Sequence, residues 1–204
     1  MSIQNNLEVI RIDYEAAMVA VEFFHYLHRR CHCTGAWGLY QAGVLMGVAV
    51  VGKPPSYTLC EGLFGKDESK NVGEFNRLWV HDSMPRNTES WFVARILRDC
   101  PYDALVSFAD TEQGHVGYIY QATNWLYTGL SPRQKYFRVK GGENAGGTQY
   151  RRRERMSKAR IIAEFGPGAV EEYYSSAKHR YVYILRRGKE LRAKLRYQIS
   201  EYPK

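Results

Sequence analysis

Several things are scarce in this 204-residue chain, and each scarcity closes off a class of protein. No apolar run is long enough to span a bilayer, so no membrane-crossing helix and no membrane partner are expected. The amino-terminal MSIQNNLEV has no basic segment leading into an apolar one, which argues against secretion and for the cytoplasm. The four cysteines, Cys31, Cys33, Cys60 and Cys100, are too few for a secreted disulfide framework at this length. Cys31-His32-Cys33 offers soft ligands but has no distant CxxC or HxxxH partner, so structural zinc is not expected. There is no internal repeat either, which sets aside solenoids and propellers.

What is present fits one α/β (α+β) domain over residues 1–204: 45% hydrophobic and 25% charged residues are ordinary globular values. The formal net charge is +8, and much of it falls late in the chain. Arg151, Arg152, Arg153, Arg155, Lys158 and Arg160 form one cluster, and Arg180, Arg186, Arg187, Lys189, Arg192, Lys194 and Arg196 form another. Clustered cations gain affinity by displacing counterions from phosphates, so the expected partner is double-stranded DNA, with Arg151, Arg152, Arg153, Arg155, Lys158 and Arg180 as contacts. A nonenzymatic DNA- or RNA-binding protein is the competing reading of the same charge.

The richest stretch is ALVSFADTEQGHVGYIYQATNWLYTG, Ala104 to Gly129. A short apolar run reads as a buried strand, and the polar string Ser107, Asp110, Thr111, Glu112, Gln113, His115 leaves its carboxyl end, where α/β sheets place ligands. Gly114 and Gly117 permit close backbone approach. Tyr118, Tyr120 and Trp125, with Gln121 and Asn124 between them, combine stacking faces with amides, as a pocket for a nucleobase does. An aromatic helix packing on a sheet is the plainer alternative for any one of these rings.

Elsewhere the pattern predicts a strand over Leu7–Ile12, then a helix capped by Asp13 and running to Arg30, with His25, Tyr26, His28 and Arg29 in its last turn. Two strands over 36–52 turn near Gln41–Gly43, and Cys60–Asn71 reads as a glycine-rich surface excursion. Arg77 interrupts the buried strand Glu74–Val80, so it either pairs with an acid such as Asp110 or faces an anionic ligand. The helix Glu89–Cys100, capped by Asn87 or Thr88 and preceded by Arg86, offers an anion site for a donor phosphate at Arg86, Asn87 and Thr88. Residues 136–140 predict a strand and residues 169–177 a short helical turn. Gly141–Gly147 predicts a mobile glycine-rich loop leading into a basic helical insertion that ends at residue 177, and Lys178–Leu185 predicts the last strand.

This element order is that of the GNAT acyltransferase fold, a mixed, mostly antiparallel sheet flanked by helices. HYLHR at His25–Arg29, FNRLWV with SMPRNTESWFVARIL, VSFADTEQGHVGYIYQATNW and KHRYVY at Lys178–Tyr183 resemble the Mom family of bacteriophage DNA-modification proteins. The resemblance implies a transferase that adds a carbamoylmethyl-type group to the exocyclic amine of adenine and so protects DNA from host restriction. It places catalytic roles on His25, Tyr26, Arg77, Ser107, Asp110 and His115, with Asp110 or His115 as general base. Asn76, Tyr118, Tyr120, Gln121, Asn124 and Trp125 would bind the flipped adenine. The usual GNAT pyrophosphate turn has glycines where this chain reads MPRNTES, so the donor is left between acyl-CoA and aminoacyl-tRNA. His25, His28 and Asp110 are the ligand set if a redox iron takes part. A conventional N-acetyltransferase is a third reading.

Overall fold

The computed structural model describes residues 6–140 and 157–204. The chain runs β1 (Leu7–Ile12), α1 (Tyr14–Phe24), β2 (Gly35–Gln41), β3 (Val44–Gly52), α2 (Tyr57–Phe64), β4 (Val72–Val80), α3 (Thr88–Asp99) and β5 (Ala104–Asp110). Then follow α4 (Tyr118–Ala122), β6 (Leu126–Leu130), β7 (Lys135–Val139), α5 (Lys158–Phe165), β8 (Val170–Tyr174), β9 (Lys178–Ile184) and α6 (Gly188–Lys194). Seven strands form one sheet in the order β1-β2-β3-β4-β5-β9-β6, and β7 and β8 make a separate pair. Every pairing is antiparallel except β4 with β5, which are joined through α3 as a parallel pair requires.

Side-chain alternation decides which helix covers which face. Trp37, Leu39, Ala49, Val51, Phe75, Leu105 and Tyr181 pack with Phe92, Val93 and Ile96 of α3. On the opposite face Val48 and Val50 meet Ala17, Met18 and Val21 of α1. Val72, Ala104, Val106 and Val182 meet Leu63 and Phe64 of α2 and Leu191 of α6 on that same face. The partners Val50↔Arg77, Gly52↔Glu74 and Glu74↔Val106 put Glu74 and Arg77 between these two apolar clusters.

Three expectations change. The first helix stops at Phe24, because His25 turns extended and its Nδ1 accepts the Leu27 amide at 3.1 Å, so His25, Tyr26 and His28 stand on a loop. Residues 57–64 are helix α2 rather than a surface excursion: Ser56 caps the first turn, and Cys60, Leu63 and Phe64 bury one stripe. Residues 170–174 pair with β7 as strand β8, not helix. The expected glycine-rich loop lies outside the described residues, as do Arg151, Arg152, Arg153 and Arg155.

Candidate active site

The organising feature is a gap in the sheet. β4 and β5 share only three rungs, Val72↔Ala104, Gly73↔Leu105 and Glu74↔Val106. Beyond them β4 stays with β3 as far as Val80, while β5 stays with β9 as far as Asp110. The strands therefore part at Phe75 and Ser107. At the apex Ser107 Oγ lies 2.9 Å from the Phe75 carbonyl oxygen and 2.7 Å from the Tyr120 hydroxyl.

Most of the polar residues singled out above gather around this gap. His25 is buried, and burial followed by the nearby Arg77 pushes its imidazole down to about 3, so the ring is neutral. Because Leu27 N–H donates to Nδ1, the neutral ring carries its proton on Nε2. Tyr26 stacks on His25 at 4.4 Å and meets the exposed His115 edge-on at 5.7 Å. Burial and then the Asp110 charge raise the Tyr26 hydroxyl, with Arg77 opposing them. Burial pushes the Tyr120 hydroxyl up to about 12, so it remains a hydrogen-bond donor.

Arg77 is buried, and it does not pair with Asp110. Its guanidinium donates to the Asn76 carbonyl at 2.7 Å and the Arg29 carbonyl at 3.5 Å, while Nε has no partner among the described residues. Asp110 pairs instead with Lys178 at 2.8 Å and accepts from Ser176 Oγ at 2.9 Å and the Glu112 amide at 3.1 Å. Burial raises its carboxyl, but these three contacts outweigh that and hold it below the usual carboxylate range. Asn76 occupies the β4 irregularity opposite Val50/Val51, and its amide donates to the His32 carbonyl at 2.7 Å.

Two residues here were missed from sequence. Lys178, read as the start of a strand and of the KHRYVY segment but given no role, is Asp110's counterion. Glu74 lies at the last rung before the gap, and burial pushes its carboxyl up to about 7 against the opposing pull of Arg77 and Lys178. Nothing in EFNRLWV marks it; only the register does.

The expected adenine pocket is not assembled as predicted. Trp125 is 0% exposed, packed among Phe75, Tyr120 and Tyr183, so it is core and offers no free face. Gln121 spends its amide nitrogen on Val116 O, Tyr181 OH and Pro203 O, at 3.2–3.3 Å. Tyr118, by contrast, is 69% exposed. Asn124 faces away from the gap's polar cluster, into a cavity of about 710 Å³ between α3 and the α4–β6 turn that Asn87, Ser90, Trp91 and Arg186 also line.

The expected donor-phosphate set is only partly available. Asn87 and Arg86 are exposed, but Thr88 is fully buried and its hydroxyl donates to the Pro85 carbonyl at 2.6 Å. Arg180 is corrected as a DNA contact: it is buried, donates to Thr128 Oγ1 at 2.9 Å and Thr128 O at 2.7 Å, and lies 3.6 Å over the Tyr197 ring. Lys158, at the start of α5, is exposed. His25, His28 and Asp110 do not fit a metal. His28 Nδ1 is bonded to the Glu22 carbonyl at 2.8 Å, Asp110 is held by Lys178, and no group of three His, Cys, Asp or Glu gathers among the described residues. Among those residues no helix is long and apolar enough to cross a membrane.

Similar folds recur among solved proteins at very low identity. A Salmonella typhimurium protein described as an acetyltransferase and solved with acetyl-CoA superposes with a TM-score of 0.51 at 10% identity, covering 90% of this chain and 96% of that one. Spermidine/spermine N-acetyltransferase SpeG of Vibrio cholerae gives 0.51 at 7% identity over 92% and 98%. The fold is thus that of the GNAT acetyltransferases. In sequence, 69 residues are 39% identical to the methylcarbamoylase Mom of Escherichia phage Mu, a match covering 30% of this chain and only 29% of that protein's length. A family model described as "Mom protein family" matches residues 6–204.

Proposed function

Since the chain belongs to the Mom protein family, we propose that it is a phage DNA-modification transferase that places a carbamoylmethyl-type group on the exocyclic amine of adenine. The observation that carries this reading is the gap between β4 and β5, with His25, Tyr26, Arg77, Asp110 and His115 gathered around it. Acetyltransferases of this fold, including one solved with acetyl-CoA, favour an acyl thioester as the donor class. We place the donor along the cavity between α3 and α4, near Asn87 and Ser90, and the adenine on the opposite face of the sheet. We place the meeting of donor and acceptor at the mouth of the gap. An aminoacyl-tRNA donor finds no supporting feature among the described residues.

The adenine amine is a poor nucleophile, so position and proton removal supply much of the rate. Arg77 supplies a fixed cation at the gap for the donor's developing negative charge. The neutral His25 presents Nε2–H, and Tyr26 and the exposed Tyr118 offer ring faces to an extruded base. DNA reaches the site over the basic surface that includes Lys158.

Nucleoside mass spectrometry of DNA from cells expressing the chain tests the reading. A modified adenine is expected; unaltered adenine beside retained DNA binding leaves a basic binding protein, and an acetylated protein or amine leaves a conventional N-acetyltransferase.

A further inference from the structure

At the floor of the gap the charged side chains are mostly committed to one another. Asp110 Oδ2 is held by Lys178, and its Oδ1 accepts from Ser176 and from the Glu112 amide. Glu74 differs: its carboxylate has no hydrogen-bond or ion-pair partner among the described residues, although it is half-buried. It stands on the last rung that β4 and β5 share, on the same face as Arg77 and one residue before the strands part. The groups that act on it are Arg77 of its own strand, Lys178 of β9, Tyr120 of α4, Cys60 of α2 and Cys31 of the segment after α1. None of them ties up its oxygens.

We propose that Glu74, rather than Asp110 or His115, is the general base that removes the proton from the attacking amine. The assignment rests on the DNA-modification reading above. In the step, the adenine nitrogen forms a bond to the acyl carbon of a glycyl thioester, and the bond from that carbon to sulfur breaks with the electron pair leaving on sulfur. The N-glycyl adenine so formed is an isomer of the carbamoylmethyl product and reaches it when the glycyl nitrogen displaces the original nitrogen at the purine carbon, with no further reactant. The N–H proton passes to a Glu74 oxygen. A base works best when its own proton affinity lies near the working pH. Glu74 sits about there, whereas the Asp110 carboxylate is stabilised by three contacts and is a correspondingly weak base. Asp110 then serves as a positioning residue that fixes Lys178 beside Glu74.

The test uses the full chain, plasmid DNA as acceptor and clarified extract of non-expressing cells as the source of donor. Modified adenine is read by nucleoside mass spectrometry from about pH 5.5 to about pH 9. Wild-type modification should rise through about pH 7 and level off. E74Q should lose on the order of 10²-fold, with DNA retention on filters unchanged. E74D should keep a measurable rate with its acid limb moved to lower pH, an effect that a merely structural carboxylate does not give. If E74Q is poorly folded, carboxyl carbon NMR of wild-type protein decides: one glutamate should titrate near 7. An undiminished E74Q, an acid limb unmoved in E74D, or glutamates that all titrate in the ordinary range overturns the assignment while modification by wild type upholds the wider reading. A wild-type sample that leaves adenine unaltered overturns that reading, and the assignment with it.

Discussion

His25 shows how one side chain records its surroundings. Its folded-state proton affinity is depressed to about 3, while the unfolded chain titrates near 6.5, so below that pH the unfolded state binds the extra proton. The sign follows: His25 destabilises nothing above about pH 6.5 and costs the fold progressively as pH falls toward 3. Between pH 7 and pH 5 it should remove about 2 kcal/mol of unfolding free energy. Urea titrations should show that loss in wild type and a much flatter profile in H25N. Asp110 works the other way, since its depressed carboxyl adds stability above the unfolded value near 3.8 and loses it only in stronger acid. D110N should therefore cost stability at neutral pH, by about 1–3 kcal/mol for a buried partner of Lys178. The residue types around the gap were readable because strongly polar strings beside glycine are unusual. Their alliances were not, because Asp110 finds Lys178 across a β5–β9 pairing 68 positions away in sequence, which no local pattern signals.

Among the elements, α4 depends on the residue that precedes it. Gly117 has φ +85°, and a Cβ there would lie 2.4 Å from Cε2 of Tyr181. Tyr181 is itself fully buried and hydrogen-bonded to Gln121, so it has nowhere to move. G117A should lower stability by about 2 kcal/mol or more, combining left-handed strain with overpacking, and should misplace Tyr120 from Ser107. Chemical denaturation measures the first effect and modification activity the second. The strands β1 to β5, β7 and β9 were legible from alternation and apolar runs. The end of α1 was not, because HYLHR is compatible with helix, whereas in the fold His25 turns extended, its Nδ1 accepts the Leu27 amide and its carbonyl accepts the His28 amide. α2 was hidden by Gly62 and the flanking prolines, although its Leu59, Cys60, Leu63 and Phe64 carry helical spacing. Trp125 and Tyr118 had the same sequence credentials as pocket rings, and tertiary packing alone separates the buried one from the exposed one.

For the whole molecule, the charge of +8 makes a prediction that distinguishes two arginine-or-lysine positions. K158A should weaken DNA binding evenly across sequences and reduce the salt slope by about one. R180A should leave the slope intact and lower stability, because its guanidinium is buried against Tyr197 and Thr128. Filter binding over a salt series, with thermal melts alongside, separates the two. The gap itself has a further consequence at this scale. Where β4 and β5 diverge, each strand keeps one flank without a ladder neighbour, and these two flanks lie indoors, between helices, rather than on the rim of the sheet. A bare flank on the outside invites another polypeptide to add itself and aggregate. Housed here, the same backbone groups are out of reach of a second protein, so the sheet can leave this seam unstitched without becoming sticky.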